Sequence, residues 1–152
     1  MKKKFALVLI ACALISFTKF NHCRTNDFAA PDNYVHACYT DIPALFGERD
    51  LINHTWPYLS ATNAMEYPPV IGLGNWLISF ITPSENSYRW FFDLNVLLLI
   101  GCFIGIAYLL RKMRPQHMYL FPLAPAVVAS LFINWDLWAV ITALLAIYYF
   151  EQ

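Results

Sequence analysis

Two carboxylates stand where chemistry could use them. Asp41 lies in CYTDIPALF and Glu66 in EYPPV, both in a polar stretch that leads into apolar sequence. A carboxylate held near a membrane surface can act as a general base, taking the proton from an acceptor hydroxyl as that oxygen attacks. Such a role contributes about 10²- to 10⁴-fold in rate. The same residue type at such positions also serves as a solvated loop acid or a helix N-cap.

Around these acids the other reactive residue types thin out. Cys23 and Cys38 share the polar stretch, and an oxidising compartment would let them pair as a disulfide. Closing a loop of about 15 residues would stabilise it by roughly 3 kcal/mol in the chain-entropy model; two free thiols are the alternative. Cys12 and Cys102 fall in apolar runs and read as packing residues. His22, His36, His54 and His117 show no paired ligand spacing, so no metal site is expected. Arg24 and Arg49 are the only basic residues of the stretch; they could hold a phosphate or pair with Asp50 and Glu48.

Asp93 in WFFDLN and Asp136 in FINWDL stand at the ends of apolar runs, where ionisable residues tend to face a bundle interior rather than lipid. Trp76, Trp90, Trp135 and Trp138 fit an interfacial aromatic belt.

The elements that must position these residues follow from composition and charge. The chain has 152 residues, 59% hydrophobic and only 13% charged, well below the roughly 25% charge of an ordinary soluble domain. This is the balance of a membrane protein. Its zero net charge hides a segregation: Lys2, Lys3 and Lys4, then Arg111, Lys112 and Arg114, form basic clusters, while Asp27, Asp32, Asp41, Glu48, Asp50 and Glu66 crowd between them. Such a pattern reports topology and points to no nucleic-acid partner.

The positive-inside rule places the N-terminus in the cytoplasm and residues 1–20 across the membrane as an anchor. A cleaved signal peptide, or a lipoprotein signal around Cys12, competes with that reading. Residues 21–66 then form an extracytoplasmic loop. Residues 67–82 are apolar but short, with Val70, Leu73, Trp76, Leu77 and Phe80 near helical spacing and Gly72, Asn75, Ser79 and Thr82 opposite. They read as an interfacial helix on the outer surface. Residues 90–110 make an unambiguous span that ends in the cytoplasmic basic loop 111–118.

Residues 119–133 return outward as a further span, and residues 134–152 hold an outer corner and an incomplete final span. The expectation is therefore an all-α membrane protein of about four transmembrane helices, multi-pass in the cell membrane. The short last helix suggests either a longer architecture cut by truncation, frameshift or gene splitting, or a tilted or locally thinned ending.

The ordered strings CYTDIPALF, EYPPVIG, YRWFFDLN and FINWDL, within about Cys23 to Tyr149, resemble the N-terminal part of a family. These are the actinobacterial integral membrane mannosyltransferases of glycosyltransferase family 87, in the GT-C superfamily. The resemblance implies a truncated GT-C-like bundle and transfer of a hexose from a polyprenyl-phosphate sugar to an acceptor on the outer face. It puts the catalytic base on Asp41, with Glu66 as second choice. Asp93, Asn134 and Asp136 become lining or helix-positioning residues. The partners implied are membrane lipid, the polyprenyl-phosphate donor and a second polypeptide supplying the missing helices; no cofactor is implied. A competing class is a non-catalytic truncated membrane protein or helix-packing partner.

Overall fold

The computed structural model describes residues 2–60 and 62–151. Met1, Ala61 and Gln152, which fall in the expected anchor, outer loop and final helix, lie outside the described residues. The described residues form helices and connecting turns, divided between two compact units: residues 20–97, and residues 1–19 together with 98–152.

In the unit of residues 20–97, α2 (Asn21–Arg24) and α3 (Asp32–Val35) are single turns on a loop closed by the Cys23–Cys38 disulfide. Helix α4 (Asp41–Glu48) starts because Thr40 is extended and its Oγ1 accepts from the Ile42 amide at 3.2 Å, a side-chain N-cap that satisfies one orphan donor. Asp41 follows in the first turn, where the helix dipole favours negative charge. The helix ends before Asp50, which takes a left-handed conformation with φ 57° and leads into a 3₁₀ turn at Leu51–Asn53.

Aromatic packing fixes these pieces to the start of α6 (Ser87–Met113). Phe46 stacks on Phe91 with centroids 4.2 Å apart, and Phe20 and Phe28 meet Phe92 at 5.4 and 4.8 Å. Arg24 adds a bidentate pair to Asp93, Nε to Oδ1 at 2.8 Å and Nη2 to Oδ2 at 2.5 Å. This pair joins α2 to α6, so Arg24 takes Asp93 as its partner rather than Asp50 or Glu48.

Helix α5 (Pro69–Ile81) occupies the expected interfacial stretch, with Pro69 at its start where a missing amide costs least. Its faces are the reverse of a core helix. Ile71, Gly72, Asn75, Ile78 and Ser79 are buried, whereas Val70, Leu73, Leu77 and Phe80 are exposed, Val70 to 71%. Gly72, Asn75 and Ser79 point inward beside Ile71 and Ile78, while Val70, Leu73, Leu77 and Phe80 form an exposed apolar stripe.

In the other unit, α1 (Lys2–Thr18) packs against α7 (Leu120–Leu123) and α8 (Pro125–Ser130). Phe5 meets Tyr119 edge-on at 5.7 Å, Phe17 meets Phe132 at 6.4 Å, and Lys19 Nζ donates to the Ala129 carbonyl at 3.1 Å. Helix α9 (Asp136–Phe150) closes the chain and has no buried residue.

This architecture corrects the expected four-span bundle. Among the described residues only α6, 27 residues long, is long and apolar enough to cross a membrane; at 1.5 Å per residue it reaches about 40 Å against a core of about 30 Å. It also takes in Arg111 and Lys112, which were expected in a loop. Helix α1 stops at 17 residues and α9 at 15, or roughly 25 and 22 Å.

The expected span at 119–133 is broken outright. Ala124 is extended at φ −64° and ψ 123° because the ring of Pro125 disfavours the helical region for the residue before it. What remains is one helix of four residues and one of six. Trp135 departs from the expected tryptophan belt, since it is completely buried within the chain.

Candidate functional site

Asp41 stands at the head of α4 and is only partly buried. Tyr67 Oη donates to its Oδ2 at 2.7 Å, and the Tyr39 phenol hydrogen-bonds to the same carboxylate. Loss of solvent around Tyr39, followed by the Asp41 charge and that hydrogen bond, pushes the Tyr39 hydroxyl up to about 12. Tyr39 therefore stays protonated at neutral pH and acts as a donor.

The position of Tyr67 is itself built from below. Gly72 on α5 has no side chain, and a Cβ there would collide with the Tyr58 hydroxyl. With that space free, Tyr58 Oη reaches the Tyr67 carbonyl at 2.7 Å. A chain of contacts thus runs from Gly72 through Tyr58 and Tyr67 to Asp41.

Glu66 lies in the same cavity, a recess of about 310 Å³ lined by Tyr39, Asp41, Leu45, Glu48, Arg49, Glu66 and Tyr67. The two carboxylates singled out from sequence, 25 positions apart in the chain, thus line one pocket. Their states differ. Arg49 grips Glu66 through Nε and Nη2 and reaches Asn63 Oδ1 at 3.0 Å. The Arg49 hydrogen bond holds the Glu66 carboxyl below its ordinary range.

Arg49 does not take either sequence neighbour as its hydrogen-bond partner. Asp50 instead accepts from Asn53 at 2.6 Å and Thr55 at 2.5 Å, which lowers its own carboxyl. This corrects the expected pairing of the arginines with Asp50 and Glu48.

A second recess of about 370 Å³ shares Tyr39 and Glu48 with the first and adds Asp27, Asn33, Tyr34, Thr40 and Tyr88. Asn33 is buried, yet its Oδ1 has no hydrogen-bond partner. A buried acceptor without a partner costs about 1–3 kcal/mol, so a donor supplied from the recess would be favourable.

Asn134 and Asp136 belong to the unit of residues 1–19 and 98–152. Asn134 Nδ2 donates to Asp136 Oδ2 at 2.8 Å, and Asn134 Oδ1 accepts from the Asp136 amide at 3.2 Å. Together they start α9, and both line a recess of about 140 Å³.

One cluster escaped the sequence reading. His22 Nε2 lies 3.0 Å from Asp32 Oδ2, and His36 Nδ1 lies 2.9 Å from Asp32 Oδ1. Loss of solvent opposes ionisation of Asp32, but the Asn26 amide and the His36 and His22 imidazoles outweigh it and hold the carboxyl low. Asp32 and His36 stand at helical i,i+4 spacing, but nothing in the spacing ties His22 to them. The available signal was that His22 adjoins Cys23 and His36 lies two residues before Cys38.

Comparison with family models, with curated proteins and with solved structures returns no match.

Proposed function

We propose that the protein acts at the outer face of the cell membrane in hexosyl transfer from a polyprenyl-phosphate sugar, with Asp41 as the general base. The observation that carries this reading is the convergence of Asp41, Glu66 and Arg49 in one recess with two phenol donors. Asp41 is held by Tyr39 and Tyr67 and has no arginine partner among the hydrogen bonds of the described residues. An acceptor hydroxyl can replace one phenol and deliver its proton to the carboxylate as its oxygen bonds to the anomeric carbon and the sugar–phosphate bond breaks, releasing polyprenyl phosphate.

Glu66 is clamped by Arg49, which occupies its oxygens, and the pair shapes the wall of the recess. The adjoining recess offers what a hexose ring uses: the faces of Tyr34, Tyr39 and Tyr88, and acceptors on Asp27, Glu48 and Asn33. The outward aliphatic stripe of α5 supports a seat at the bilayer surface, where a lipid-linked donor would be met. Helix α6, with Arg111 and Lys112 in its last turn, suits a crossing whose basic end is cytoplasmic.

The test is transfer of labelled mannose from polyprenyl-phosphate mannose in native membranes carrying the wild-type chain or Asp41→Asn. Loss of transfer in the variant supports the assignment, and unchanged transfer removes it.

A second reading is favoured by α9 and α5. Apart from Asp136 and Thr142, helix α9 is apolar, and it buries none of its residues within the chain, with Tyr149 and Phe150 among the most exposed. A non-catalytic protein that packs these helices against another membrane protein would present such surfaces. Co-purification of a stoichiometric membrane partner, lost when α9 is deleted, together with no transfer by wild-type membranes, would favour it.

A further inference from the structure

We propose that the disulfide-closed loop carries a zinc site formed by His22, Asp32 and His36. The three donor atoms lie within 4.8 Å of one another, with the imidazole nitrogens 3.0 and 2.9 Å from the Asp32 oxygens and the two rings 4.0 Å apart. Zinc binds nitrogen and carboxylate oxygen at about 2.0–2.2 Å, which sets tetrahedral ligand atoms a little over 3 Å apart. The two nitrogen–oxygen distances are already close to that spacing, and side-chain rotations that turn both imidazoles toward one point would admit the ion.

The donor set selects the metal class. Two imidazoles and one carboxylate suit a borderline first-row cation, whereas calcium and magnesium favour all-oxygen cages. Three protein ligands leave one tetrahedral position for water, as in an exchangeable site rather than a closed structural one. The exposure of both imidazoles keeps that position open to solvent.

Two features organise the site in advance. The Cys23–Cys38 bridge holds its Cα atoms 6.3 Å apart and so brings together histidines that the sequence separates. Asn26 Nδ2 donates to Asp32 Oδ2 at 2.5 Å, orienting the carboxylate in the manner of an outer-shell partner.

The experiment titrates zinc chloride into tag-free, full-length protein in detergent with the disulfide intact, followed by calorimetry. One ion per chain is expected. His22→Ala and His36→Ala should each weaken binding by about tenfold or more, and Asn26→Ala by about tenfold. His54→Ala and His117→Ala should bind as the wild type does. Both ligand imidazoles are substantially exposed, so their replacement leaves the fold in place. No saturable zinc binding, or binding undiminished in His22→Ala and His36→Ala, would overturn the proposal.

Discussion

Asp41 and Glu66 are equivalent in the sequence as acidic residues flanking apolar segments, and their partners distinguish them. Glu66 meets a guanidinium in a charge-assisted pair that occupies its oxygens and lowers its basicity. Asp41 meets phenols, donors of a kind that an incoming hydroxyl can replace. The Glu66 pair has a pH signature. Its carboxyl is depressed in the folded state, so its contribution to stability is fully present above the ordinary value near 4.5 and is lost as pH falls through the lower folded value.

Thermal melts of the wild type and Glu66→Gln should therefore differ at neutral pH, by under about 1 kcal/mol because Glu66 is more than half exposed. The gap should close as the solution is acidified below that range. A gap that persists unchanged would show that the Arg49 pair is not its origin. Residue types were legible in the sequence, and the Cys23–Cys38 bridge was one of its two readings for those thiols, but the partners of the charged residues were not. Arg49 stands between Glu48 and Asp50, yet the left-handed turn at Asp50 directs that carboxylate to Asn53 and Thr55 and leaves Arg49 for a residue 17 positions away.

Among the elements, α5 shows what periodicity can and cannot say. The spacing of Val70, Leu73, Trp76, Leu77 and Phe80 marked a helix with two faces, and the helix is there. Which face turns inward depends on tertiary packing. Gly72, Asn75 and Ser79 lie inward because small side chains allow close approach, and Tyr58 uses the space at Gly72.

That contact leads on to Asp41, which makes α5 a positioning element. Gly72→Ala should displace Tyr58, cost about 1–3 kcal/mol in stability and reduce mannose transfer by loosening Tyr67. Tyr58→Phe, which keeps the ring and removes only the bond to the Tyr67 carbonyl, should lower transfer with a loss of about 1 kcal/mol. Full activity in both variants would separate α5 from the site. The break at 119–133 was less legible, because hydropathy averages across Pro125 whereas the backbone at Ala124 does not.

At the scale of the whole molecule, composition identified an apolar helical chain but overcounted its crossings. Runs that are apolar enough proved too short or too interrupted, and α6 alone meets both conditions among the described residues. The charge pattern around α6 gives a direct expectation. A membrane-impermeant thiol reagent should label Glu85→Cys in intact cells and His117→Cys only after lysis; labelling of both from the same side would contradict a crossing by α6.

The central claim rests on Asp41. Membranes from cells lacking the gene, complemented with the wild type, Asp41→Asn or Glu66→Gln, would be assayed for transfer of labelled mannose from polyprenyl-phosphate mannose. The wild type should transfer, Glu66→Gln should retain most of that rate, and Asp41→Asn should fall by about 10²- to 10⁴-fold. Equal rates for Asp41→Asn and the wild type would contradict the account.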